Sequence, residues 1–312
     1  MMDIYYESSN GTTLKLLEGN YRLQTGDLFD YEWDYSETSG RRGGRITAFS
    51  RGIITKKLIL GVLGTSKEDY YKALNHFHNT VEADVLNGSP GKLWVGDYYL
   101  RCYVISSQKS EWEYDIELLD NEIELVTEYP FWCKETLYSF YKSASAIQDS
   151  IFDDEREDIW NGSEVTKDYP FDYPRDFQSK IKVRLKRPNF DYPMDFKAKA
   201  TYGKIVNGHY APCNFKMIVY GPCTNPAVRI NNHIYEVRTI LYDGEYMVLN
   251  TQDETIIKYG TNGVKTNLFN QRNKEYSVFK KISSGYNSVR WSALFGFDLI
   301  MVEERSEPAW SL

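Results

Sequence analysis

The stretch from Met217 to Thr251 restricts the fold more than any other part of this chain, because it reads only as β-hairpins. Ala227-Val228-Arg229-Ile230 and His233-Ile234-Tyr235-Glu236-Val237 flank Asn231-Asn232. Asparagine tolerates positive φ better than most side chains, so the pair suits a tight turn. The two-residue turn sets the register. Ile230 then faces His233 and Val228 faces Tyr235, which gathers one largely apolar face. A second hairpin is expected at once, with Thr239 to Tyr242 and Glu245 to Leu249 on either side of Asp243-Gly244. No nucleophile, base or metal cluster accompanies these strands.

Turn signals continue along the C-terminal part, at Gly203, Asn207-Gly208, Gly221-Pro222, Gly260 to Gly263 and Ser284-Gly285. This spacing predicts an all-β sandwich, with no helix after Asp168. The N-terminal third differs. Phe29 to Tyr35 alternates aromatic and acidic residues, the pattern of a strand with one buried and one wetted face. Ser39 to Gly44, SGRRGG, reads as a flexible loop, and Arg45 to Leu63 as one or two strands. One helix follows. Ser66 suits the N-cap with Asp69 three residues on, and Tyr70, Leu74, Phe77, Val81 and Val85 form an apolar stripe. Asn87-Gly88 and Pro90 end it. Lys92–Val95 and Tyr98–Ser106 make a hairpin about Gly96-Asp97, and Trp112 to Glu128 is a long strand ending in Tyr129-Pro130-Phe131-Trp132.

The expected fold is therefore mainly β. An antiparallel sheet crossed by one helix occupies residues 1–133, a linker residues 134–179, and a β-sandwich residues 180–312. The linker holds the acidic run Asp153 to Asp158. Phe171-Asp172-Tyr173-Pro174-Arg175-Asp176-Phe177 echoes in Phe190 to Phe196, too few copies for a solenoid.

Composition narrows the function. Of the 312 residues, 26 are Tyr, a residue at home in strands and at interfaces. A net charge of −7 lacks the basic footprint of nucleic-acid binding. No apolar run approaches the ~20 residues of a membrane span, and the N-terminus shows no secretory signal pattern. Cys102, Cys133, Cys213 and Cys223 read as reduced thiols of a protein made in a cytoplasm.

Chemical constellations are poor. Asp153, Asp154 and Glu155 could be paired acids for glycoside cleavage, but a solvated acidic run offers no desolvation to raise a pKa. His209, Cys213 and Cys223 lack the paired spacing of structural zinc sites. His76 and His78 point to different faces of the helix. Cys133 has no local His partner. Arg41-Arg42 lacks the Gly-Lys-Ser/Thr ending of a phosphate loop and is better read as an interface arm. Neither catalysis nor any metal or cofactor is expected.

Several motifs in order resemble one family. They are Glu128-Tyr129-Pro130-Phe131-Trp132, Tyr220-Gly221-Pro222, Asn225-Pro226, Ile230-Asn231-Asn232, Asp243-Gly244-Glu245, Phe279-Lys280-Lys281-Ile282, Gly285 to Val289 and Arg305 to Trp310. The chain resembles the distal tail (Dit) proteins of long-tailed phages and prophages. Asn232 stands where that family often has Gly, and the acidic linker departs from it too. The resemblance implies a ring-building N-terminal domain and a galectin-like C-terminal β-sandwich. It implies a hexameric baseplate hub in the virion, joining the tail tube to the tail-associated fibre or lysin protein and to receptor-binding proteins.

A head-to-tail ring needs two different complementary patches on each subunit. The candidates are Asp30, Glu32 and Asp34 on one side and Arg41, Arg42 and Arg45 on the other, with Tyr71 and His78 on the helix. The alternative reading is a carbohydrate-binding module for host surface glycans, with Trp291 and Trp310 as candidate contacts.

Overall fold

The computed structural model describes residues 3–109, 118–142 and 201–309. The acidic run, both copies of the echo and Trp310 lie outside them. The chain divides into two compact units, Met1–Thr136 with Val302–Leu312, and Leu137–Met301. The sequence-based boundaries kept residues 302–312 with the second domain; the structure groups them with the first unit. There Tyr98 donates to Glu303 at 2.8 Å, the Arg305 guanidinium lies over the Tyr98 ring, and Val302 is buried with Tyr99 and Cys133.

The first unit contains β1 (Ile4–Glu7), β2 (Thr13–Lys15), β3 (Tyr21–Gly26), β4 (Asp34–Gly40), β5 (Gly43–Ser50), β6 (Ile54–Leu63), α1 (Lys67–Asn87), β7 (Gly91–Val95), β8 (Tyr98–Gln108) and β9 (Leu118–Thr127). The strand β10 (Trp132–Phe140) begins in it. The pairings among its described strands are antiparallel. β8 is the hub: its first half pairs with β7, which carries β1 and β2, and its second half pairs with β9, which carries β6 and β3. The helix buries Tyr70, Ala73, Leu74, Phe77 and Val81 against β6 and β8.

The expected helix signals act largely as read. Asp69 N–H donates to the Ser66 hydroxyl, and Gly88 closes the helix with φ 60°. The Asp69 carboxylate, however, accepts from Thr65 N–H at 3.0 Å and from Asn20 at 2.9 Å. The buried face also lies to one side of the expected stripe. Val85 is 44% exposed, while Asp84 is fully buried.

Asp84 is the polar centre of this unit. It accepts hydrogen bonds from the Tyr6 hydroxyl (2.6 Å), the Ser8 hydroxyl (2.7 Å), Ser9 N–H (2.8 Å) and the Ser9 hydroxyl (2.6 Å). Burial alone would raise its pKa, but the four donors outweigh it and hold the carboxyl below its usual range. Gly91 stands directly against the Tyr6 hydroxyl, where a Cβ would collide with it.

The Phe29–Tyr35 strand is corrected. Only Asp34 and Tyr35 are in a strand, and Tyr31, Trp33 and Tyr35 are all exposed. The buried ammonium of Lys56 captures the carbonyls of Asp27 (3.0 Å) and Asp30 (2.6 Å), and Asp30 N–H turns back to Asp27. Those bonds hold a turn in place of a ladder. SGRRGG is not a loose loop either. The strands run through Gly40 and resume at Gly43, which leaves Arg41-Arg42 as the turn.

The second unit contains the end of β10, then β11 (Thr201–Asn207), β12 (Asn214–Tyr220), β13 (Cys223–Thr224), β14 (Ala227–Ile230), β15 (His233–Glu236), β16 (Ile240–Leu241), β17 (Tyr246–Asn250), β18 (Thr255–Tyr259), β19 (Lys265–Asn267), β20 (Gly285–Trp291) and β21 (Phe297–Arg305), whose last residues belong to the first unit. One sheet runs β11-β20-β14-β15, and another runs β19-β18-β17-β12-β21. Phe215, Leu249, Ile256, Val289, Trp291 and Phe297 are buried in a single apolar cluster. Among the described residues, this unit has only one short 3₁₀ turn.

The Asn231-Asn232 hairpin has the expected register, Ile230 opposite His233 and Val228 opposite Tyr235. Asn231 takes φ 54°, and its side-chain oxygen accepts from Ser288 N–H at 2.9 Å. The Asp243-Gly244 hairpin is corrected. The turn forms, with Glu245 N–H on the Tyr242 carbonyl, but its two arms part. β16 pairs with β13, while β17 lies between β12 and β18. Five-residue ladders on both sides of β17 outbid a two-residue partner. Gly203, expected at a turn, lies inside β11, where the Phe140 ring occupies the space of its missing Cβ.

Candidate assembly surfaces

Among the described residues β4 and β5 pair only with each other, and all fifteen of their residues are exposed. A lone two-stranded hairpin is marginal in water, because it has no third strand or helix to pack on. This arm nevertheless carries Tyr35 (59% exposed), Ile46 (51%) and Phe49 (63%), with Tyr35 directly opposite Phe49. Ile53, just beyond it, is 69% exposed.

Charge is uneven along the arm, with Glu37 lying between a basic group and an acidic one. Arg41, Arg42 and Arg45 lie at or beside the tip, and Asp30, Glu32 and Asp34 at or near the base; all are exposed. Arg41 lies seven residues along the strand from Asp34, roughly 20 Å at ~3.3 Å each, and Arg45, opposite Thr38, lies four residues from it, roughly 13 Å. The structure therefore does not bring these arginines and carboxylates together within one chain. The tip also has an open concavity lined by Thr38, Arg42, Arg45 and Thr47.

The base of the arm holds a feature that the sequence did not disclose. The Arg51 guanidinium lies 5.7 Å from the Tyr31 ring centre, 5.4 Å from Trp33 and 5.0 Å from Phe131. Trp33 and Phe131 touch at 5.8 Å, and Tyr129 continues the cluster at 5.3 Å from Phe131. Burial lowers the pKa of Arg51, partly offset by Tyr31. An arginine one residue past a strand carries no motif, so only the fold reveals its neighbours.

Tyr71 and His78 are half-buried on α1. Burial, with nearby Lys109, lowers the His78 pKa, and Glu82 opposes the shift. In the second unit Trp291 is 2% exposed. Its ring packs against Phe140 and Phe297, and its indole N–H donates to the Phe295 carbonyl at 3.2 Å. It belongs to the core and offers no face to a sugar, a correction that strand alternation explains.

His209 and Cys213 are buried beside Asn207, which accepts from the Cys213 thiol at 3.3 Å and from His209 N–H at 2.9 Å. Among the described residues no three His, Cys, Asp or Glu side chains gather as metal ligands, and no helix is long and apolar enough to cross a membrane.

No protein-family model and no curated protein matches the chain. Solved structures do. A chain from the phage P2 baseplate in its activated conformation with calcium is similar at 13% identity and TM-score 0.58, over 99% of this chain and 100% of that one. The same baseplate with strontium gives 14% identity and TM-score 0.58, with the same coverage. SPP1 Dit, a hub adsorption apparatus protein of phages that infect Gram-positive bacteria, gives 8% identity and TM-score 0.53 over 97% of this chain and 99% of its own. At such identities the likeness establishes a shared fold.

Proposed function

We propose that this chain is a structural subunit of a phage tail tip, a baseplate hub that assembles with copies of itself into a closed ring. The arm formed by β4 and β5 carries the proposal. A fully exposed hairpin with Tyr35, Ile46 and Phe49 on its surface is marginal by itself and gains stability and solubility when something covers it. Its charge layout suggests the cover. A tip bearing Arg41, Arg42 and Arg45 and a base bearing Asp30, Glu32 and Asp34 match each other head to tail. Contacts of that kind close into rings when the rotation allows.

Six copies, as in the family the motifs resemble, would make the hub. Its expected partners are the tail tube, the tail-associated fibre or lysin protein and the receptor-binding proteins. The role is mechanical and calls for no reaction at this protein. It places the chain in the virion after synthesis in the host cytoplasm. Near-complete coverage of baseplate and hub structures supports this reading.

Light scattering of the full chain tests it. Assembly beyond a dimer is expected, weakened by high salt, because exposed charge pairs are screened. Charge reversal at Arg41 and Arg42 shifts the population towards monomer. A chain that stays monomeric at high concentration, alone and beside its tail neighbours, would remove the proposal.

A further inference from the structure

We propose that Arg51 is a positioning residue that clasps the hairpin arm to the first unit and sets the arm's direction. This extends the assembly reading above, since a correctly directed arm is what a neighbouring copy would meet.

The arm has two covalent connections to the body. The chain enters through Tyr31 and Trp33 and leaves through Arg51. Among the described residues no third strand pairs with β4 or β5, so no backbone ladder there fixes how the arm leans. Arg51 brings both connections to one point. Its guanidinium meets the rings of Tyr31 and Trp33 on the entering chain, and of Phe131 between β9 and β10. Phe131 belongs to the body, anchored through Tyr129, whose ring stacks under the Arg101 guanidinium.

The guanidinium is held by ring faces. Its Nε and Nη1 atoms are buried without a hydrogen-bond partner among the described residues. A planar cation suits this role, because it can lie against several rings at once, and tryptophan gives the strongest such contact. Lysine would keep the charge and lose the flat surface.

Hydrogen exchange on the full chain under dilute, unassembled conditions reads whether the clasp keeps the base of the arm closed. Arg51→Ala is expected to speed exchange of amides 34–36 and 48–50 about tenfold or more, with no change in β6 and β9. Arg51→Lys falls between. Phe131→Leu keeps an apolar side chain on the body and removes the ring, so it should loosen the same amides. It provides the second route if Arg51→Ala folds poorly. The combined variant should then add little to either single change. Unchanged arm exchange, or exchange that rises equally in β6 and β9, overturns the clasp.

Light scattering of the same variants is the second readout, with self-association weakened by a similar factor. A loosened arm with undiminished self-association overturns the positioning role. The exchange result stands by itself. It decides the clasp even if the wild-type chain fails to assemble, which would count against the ring alone.

Discussion

Replacing Asp84 with alanine should destabilise the first unit by about 4 kcal/mol. The carboxylate takes four hydrogen bonds of 2.6 to 2.8 Å. Two donors, the hydroxyls of Tyr6 and Ser8, belong to residues only 2% and 3% exposed and would be left buried and unsatisfied. Each orphaned group costs about 1–3 kcal/mol, which gives roughly 2–6 kcal/mol together. Ser9 can turn to water and adds little. Alanine's better helix propensity returns about 0.5 kcal/mol. At 2–4 °C per kcal/mol for a unit of this size, the melting temperature should fall by about 10 °C. Asp84→Asn keeps one acceptor oxygen and should lose about half as much.

Acid adds a second check. The folded-state pKa of Asp84 lies below 3.8, so its stabilisation is fully present above pH 3.8 and fades as pH falls through the folded value. The gap between wild type and Asp84→Ala should stay constant from pH 7 to 5 and narrow as pH falls below 3.8. Thermal melts at three pH values suffice. A loss under ~1 kcal/mol at pH 7, or a gap that widens in acid, refutes the reasoning.

Three other outcomes are expected. Gly203→Ala drives a methyl group into the Phe140 ring and should cost about 1–3 kcal/mol by overpacking, read as a lower melting temperature of the second unit. Trp291→Ala should cost about 3–5 kcal/mol by cavity formation; a fully stable variant in a denaturant titration would contradict its burial against Phe140 and Phe297. Asn231→Ala loses the side-chain bonds to Ser288 and Asn287 and replaces a side chain that tolerates φ 54° with one that does so less well, so a loss of about 1–2 kcal/mol is expected, while Asn231→Gly should lose less.

Local signals were legible where the partner was a few residues away. The Ser66 cap, the Gly88 stop and the Ile230–His233 register depend on neighbours within one helical turn or one hairpin. The same logic failed at Asp243-Gly244. The turn chemistry was sound, yet β17 found longer partners in β12 and β18. It failed also at Phe29 to Tyr35, where alternation suggested a half-buried strand and the carbonyls went to Lys56 instead. At the candidate surface the arginines and acids stood out by charge, but the aromatic surroundings of Arg51 did not.

Amino-acid order alone thus determined the β-rich class, the long helix α1 and most of the turns, because each follows from periodicity or from backbone preferences over a few residues. Tertiary structure decided which strands pair, that Trp291 faces inward, that Asp84 gathers donors from β1 and the turn after it, and that β4 and β5 stand uncovered. Those outcomes compare the free energies of contacts between distant segments, and such competition has no local trace in the chain.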